Sequence, residues 1–210
     1  AAPIVIQRTI AFPYAAGPPF VIPLFLETED FELINEAFEY VSRSTEQIIH
    51  PEKYASREEP VEVNVPDVSL SLGEGWAEVD RDTFGELFLR SYLESWIDAQ
   101  DASVAAEGWG GDRFALYEGP GGDLALGAVT TWDTEEDAVE FFDAFREATR
   151  WRLGSEWEPL DDVESALLMR GERQAALISL EGLDVTIVLA PEALSLPRVL
   201  KELQSVETPG

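Results

Sequence analysis

The chain has 210 residues, 45% of them apolar, so it can bury a core and is not a disordered acidic tail. Its 42 carboxylates against 14 basic side chains leave a formal net charge of −28, which excludes nucleic acid and anionic membrane surfaces as partners. The absence of cysteine excludes disulfides and thiol chemistry.

Residues 1–16 read as an apolar helix carrying Ile4, Ile6, Ile10, Phe12 and Tyr14, broken at Gly17-Pro18-Pro19. A second apolar face follows at Phe20, Val21, Leu24 and Phe25. No signal peptide or membrane-spanning stretch is expected. Asp30 is placed to cap a helix with Phe31, Ile34, Ala37, Phe38 and Val41 at helical spacing. Ser44 and Gln47 have capping-box spacing for a short helix ending before Pro51. Val61, Val63 and Val65 alternate with polar residues, as an extended segment does. Residues 67–75 read as a linker. Thr83 and Glu86 form a second capping-box match, opening a long helix to about Gln100.

Beyond residue 100 the pattern changes. Phe114–Tyr117 and Leu124–Trp132 are strand-like and joined by the turn signal Gly119-Pro120-Gly121-Gly122. Thr134 can cap a helix presenting Ala138, Phe141, Phe142 and Phe145. Strands are expected at 165–169, 174–180 and 184–189, and a last helix at about 192–203. The economical solution is an α+β fold, an N-terminal helical segment followed by an antiparallel sheet with helices on one face. The expected division is a helical subdomain at 1–66, the linker at 67–75 and an α+β subdomain at 76–210.

The segment from Ser44 to Tyr54 joins the single histidine, His50, to Glu46, Glu52 and Tyr54. As a functional residue, His50 is a metal ligand or general base with Glu46 one helical turn before it. As a structural one, it closes a helix and bonds a backbone carbonyl. One histidine cannot build an all-imidazole zinc site. Trp109, Asp112 and Arg113 form either a binding loop, with Asp112 and Arg113 paired beside an indole, or a turn entering a strand with Trp109 in the core. Asp80-Arg81-Asp82 and Asp161-Asp162-Val163-Glu164 hold oxygen ligands of the kind calcium takes, but neither completes a calcium loop. The scatter of the six tryptophans favours core packing over a carbohydrate platform. No motif assigns a catalytic residue, a metal-ligand set or a cofactor.

Phe12-Pro13-Tyr14-Ala15-Ala16-Gly17, Ile34-Asn35-Glu36-Ala37-Phe38 and the segment from Ser44 to Tyr54 resemble a pattern of prokaryotic secreted proteins. These are uncharacterised zincin-like proteins and lipoproteins, including haloarchaeal surface proteins. The resemblance covers residues 1–67 and extends loosely to the hairpin. It implies an exported or cell-surface protein, and that this chain is the C-terminal portion of a longer polypeptide, membrane-tethered through an upstream segment. The His-Glu-x-x-His signature of such proteins is not in this sequence, so no zinc ligand carries over.

Only Lys53 and Lys201 are lysines among the cations, and the charge is spread, roughly −9 on residues 1–75 and −19 on the rest. That acid-rich, lysine-poor surface is tolerable where salt is abundant, and it looks like the composition of extreme halophiles. The expectation is a noncatalytic cell-surface protein of a halophilic archaeon, structural or partner-binding. Its partner would be the upstream portion or another envelope protein, with no direct insertion of this chain in the membrane. The alternatives are the C-terminal part of a zinc peptidase-like protein and an extracellular ligand- or ion-binding module.

Overall fold

A computed structural model of the chain describes residues 2–160, 163 and 165–205 (Thr28 by its backbone alone). In chain order the elements are α1 (Ile4–Thr28), α2 (Glu32–Glu39), α3 (Glu46–Ile49), α4 (Pro51–Ala55), α5 (Ser69–Leu72), β1 (Ala77–Asp82), α6 (Gly85–Leu93) and α7 (Ala99–Val104). They continue with β2 (Trp109–Glu118), β3 (Leu124–Trp132), α8 (Glu135–Leu153), β4 (Trp157–Pro159), β5 (Ala166–Arg170), β6 (Ala175–Glu181), β7 (Asp184–Ala190) and α9 (Leu196–Leu203). The fold is α+β. An N-terminal helix precedes a seven-stranded antiparallel sheet in the order β1-β2-β3-β7-β6-β5-β4.

Side-chain alternation splits the core. Val129, Leu177 and Val188 face one side with Val199, Leu200 and Leu203 of α9. Ala128, Ile178 and Ile187 face the other with Phe141, Phe142 and Phe145 of α8. Helices therefore cover both faces where one was expected. Strands apolar on both sides, such as β6, cannot leave either face in water. Each buried aromatic on α8 contributes about 1.5–3 kcal/mol of burial.

The hairpin and α8 follow their local signals. Gly119 N donates to Asp123 O at 2.8 Å, closing the turn. Thr134 and Asp137 cap α8 reciprocally, each side chain accepting from the other's backbone N–H. The edge strands β1 and β4 had no such signal. β1 is Ala-Glu-Val-Asp-Arg-Asp and β4 ends in Pro159, so both carry the charge and proline that keep edges from pairing further.

Four expectations need correction. Residues 67–75 are no linker, because Val68 and Leu72 are buried in the core with Val63 and Val65. The extended segment runs onto the sheet, Val61 N donating to Gly110 O at 2.8 Å. Gly111 permits that approach, since a Cβ there would stand 2.3 Å from Val61 O. The long helix to Gln100 is instead α6 and α7, the second restarted by Asp98 accepting from Gln100 N. The last helix starts at Leu196, four residues later than expected.

The fourth correction concerns α1, which runs unbroken through Pro13, Pro18, Pro19 and Pro23. Proline φ suits a helix; the cost lies in lost i→i−4 bonds. Packing of Phe20 and Leu24 against Tyr54 holds the turn that contains Pro23. Residues Ile4–Glu27 are thus long and apolar enough to cross a membrane by length and composition, with a mean hydropathy of 1.4 and 11% of the apolar window buried.

Candidate functional site: an ionic seam beside an apolar helix

His50 separates α3 from α4 at φ −117°, ψ 83°. Pro51 disfavours helical geometry at the residue before it, so the chain bends there. The bend turns the imidazole toward α6, where Nε2 lies 3.0 Å from Glu86 Oε1. Glu86 is 2% exposed, and its Oε2 has no partner among the described residues. The bond to Glu86 raises the His50 pKa, against the opposing effect of burial. The His50 imidazole therefore meets a carboxylate 36 residues away, while the backbone N–H of His50 donates to Glu46 O at 2.7 Å. Glu52, largely exposed, lies 3.7 Å from His50 Nδ1.

Glu46 instead binds Lys53. The Lys53 ammonium reaches Glu46 Oε1 at 2.7 Å, Glu58 Oε1 at 2.9 Å and the Asp133 carboxylate. Oxygens of these three acids lie close enough together to hold a metal ion, and the ammonium supplies the cation. Burial is the larger influence on Lys53 and lowers its pKa, but its three carboxylate bonds together raise it above the ordinary value. Burial raises Glu46 to about 7, the Lys53 bond opposing it.

Glu46 and His50 are both raised in the folded state, so the stability each contributes is complete below its unfolded value and is lost as pH rises through the folded one. For Glu46 that window runs from about 4.5 to 7; for His50 it starts at about 6.5. Glu46→Gln mimics the neutral acid. In urea unfolding it should match the parent near pH 5 and exceed it at pH 8 by on the order of 2 kcal/mol. Equal stability of the two at both pH values would refute the assignment.

Asp112 holds α6 in place. Its carboxylate accepts from Phe84 N and Gly85 N at 2.8 Å each and from Trp109 Nε1 at 2.9 Å. It is 4% exposed, and burial, the leading influence, raises its pKa against these bonds. Gly85 has φ +73° there, a conformation open to glycine. Thr83 and Glu86 do not form the expected capping box, because Asp112 caps the helix and Glu86 turns inward to His50. Arg113 forms no ion pair among the described residues. It follows Asp112 on a strand, so the two point to opposite faces. Trp109 is core, and Tyr54 donates to Tyr40 O at 2.7 Å, away from the seam.

The remaining candidates are structural. Asp80 and Asp82 accept from neighbouring backbone N–H groups, while Arg81 pairs with Glu78. Asp161, Asp162 and Glu164 lie outside the described residues. Trp109 and Trp132 are buried and Trp151 is exposed, so the tryptophans form no common platform. A cavity of about 320 Å³ opens beside His50, lined by Glu52, Lys53, Glu107, Asp133, Thr134 and Asp137 among others. Its one hydroxyl, that of Thr134, is engaged with Asp137. The seam joins the N-terminal helices to α6 and to the end of β3. No local spacing signals Glu86 and Asp133 as partners of His50 and Lys53, which lie 36 and 80 residues away; Glu58 is near Lys53 in sequence but meets it only once the chain turns after α4.

Residues 71–200 match the family model of a domain of unknown function, DUF8575. The chain belongs to this family. The matched region carries Glu86, Asp112 and Asp133, and leaves out α1 to α4 together with residues 1–67, on which the resemblance to zincin-like surface proteins rests. No curated protein matches the chain. Among solved structures, the extracellular domain of PknH from Mycobacterium tuberculosis is similar with a TM-score of 0.45 and 12% identity, covering 70% of this chain and 97% of that one.

Proposed function

We propose that the chain is a noncatalytic domain of a cell envelope, anchored in the membrane by α1 and presenting an acidic sheet domain outside as a structural or partner-binding module. The observation that carries this is α1. Thr9–Leu26 contains no charged residue, and at 1.5 Å per residue it extends about 27 Å, close to the roughly 30 Å of bilayer hydrocarbon. Ile10, Tyr14, Ile22 and Leu26 are all at least half exposed, apolar surface that water does not favour. The net charge of −28 supports the outer side, since an anionic inner leaflet repels it.

Flotation of the full chain with phosphatidylcholine vesicles tests the anchor. The parent should float with the vesicles. Tyr14→Lys alters an exposed side chain near the middle of the span, 84% accessible. It should weaken partitioning about 100-fold, a charge at the centre costing about 2.5–3.5 kcal/mol. Equal flotation of both proteins, or of neither, would overturn the anchor.

We further propose that the surface is adapted to high salt, as in an extreme halophile. Molar salt shortens the Debye length to about 3 Å, so raising KCl from 0.1 to 2 M should lift the melting temperature by about 5 °C, or about 2 kcal/mol. A melting temperature indifferent to salt would remove this reading.

A further inference from the structure

In this structure α1 lies on the domain. Phe20 and Leu24 are buried with Tyr54, the Phe20 and Tyr54 rings meeting edge to face at 5.1 Å. Leu33, Ile34 and Ala37 of α2 and Ile48 of α3 pack around them. Nearer the N-terminus, Arg8 reaches Glu94, the residue that caps the C-terminal end of α6, at 2.8 Å.

Phe20 and Leu24 also lie inside the uncharged stretch Thr9–Leu26 that would occupy the hydrocarbon. The helix packed beside them, α2, carries Glu32, Glu36 and Glu39, and Glu36 is paired with Arg57. Carboxylates at that depth are costly, and neither α2 nor α6 can follow Phe20 and Leu24 into a bilayer without carrying charge with it. Docking and insertion are therefore mutually exclusive.

We infer that α1 is a releasable strap, docked on α2, α3 and α6 in water and withdrawn from them on insertion. Withdrawal uncovers the face formed by Ile48, Ile49, Tyr54 and Leu87. This inference rests on the anchoring proposed above. The docked contact suits release in two ways. A cavity of about 260 Å³ remains between α1 and the Ile48, Ile49 and Leu87 side chains, so the contact is incompletely packed. Glu94, whose side chain is 3% exposed, also binds Arg90 at 3.3 Å, so the departure of Arg8 strands no carboxylate. Tyr54 keeps its bond to Tyr40 O, and the Arg57 guanidinium stays over both rings at 4.7 and 5.4 Å.

The test uses the full chain with and without phosphatidylcholine vesicles. The protein contains no cysteine, so Leu87→Cys supplies a single maleimide target. Vesicles should accelerate its labelling at least 10-fold. Amide exchange in the unmodified chain gives a second measurement, with protection falling at 48–54 and 87–94 on vesicle binding. If the protein floats with vesicles but neither labelling nor exchange changes, the strap is wrong and the anchor stands. If it does not float, the anchor fails and takes the strap with it.

Discussion

Asp112→Ala should destabilise the fold by about 5 kcal/mol and lower the melting temperature by about 10–20 °C. One carboxylate, 4% exposed, satisfies three donors, namely Phe84 N, Gly85 N and the Trp109 indole. Each buried donor left without an acceptor costs about 1–3 kcal/mol, and a domain of this size loses about 2–4 °C per kcal/mol. The effect should extend beyond the helix end. Asp112 fixes the start of α6, and α6 carries Glu86 to His50. The near-ultraviolet signal of the buried Trp109 should change along with stability. Asp112→Asn keeps one oxygen acceptor and should lose about half as much. Thermal and urea unfolding measure both variants, and a loss under 1 kcal/mol in Asp112→Ala would rule out the triple cap.

Lys53→Met should cost about 4 kcal/mol at pH 8. It removes the one cation shared by Glu46, Glu58 and Asp133, and breaking a buried pair by deleting one partner typically costs about 3–5 kcal/mol. Glu46 is 3% exposed and cannot turn to water in place. The loss should shrink at pH 6, because Glu46, raised to about 7, is then largely protonated and needs no counter-ion. Glu46→Gln in the same chain should recover much of the loss at pH 8. Urea unfolding at the two pH values checks this. A pH-independent loss would show that Lys53 acts by packing alone.

Two helix starts signalled in the sequence, the cap at Thr134 and the capping-box match of Thr83 with Glu86, ended differently. Thr134 and Asp137 close on each other because nothing else competes for them at the exposed start of α8. Thr83 and Glu86 have the same spacing, but Asp112 reaches Phe84 and Gly85 from 28 and 27 residues away, and Glu86 is drawn inward to His50. A cap signal states what a helix end can accept; tertiary packing decides which donor or acceptor arrives. The region from Ser44 to Tyr54 was legible as a place of interest, since it holds the single histidine. Its partners were not, because Glu86 and Asp133 lie 36 and 80 residues from His50 and Lys53.

The sequence by itself determined the α+β class, the hairpin at Gly119–Gly122, the capped helix α8, the strands β3, β5, β6 and β7, and a dispersed surface charge of −28 over a readable core. These rest on interactions a few residues apart or on side-chain period, which composition and spacing record directly. Only the tertiary structure decided the strand order, the two covered faces, the role of residues 63–72 as core, the ionic seam and the continuity of α1 through four prolines. Each depends on a contact between distant segments, and the free energy of such a contact is realised only once the fold has brought the segments together.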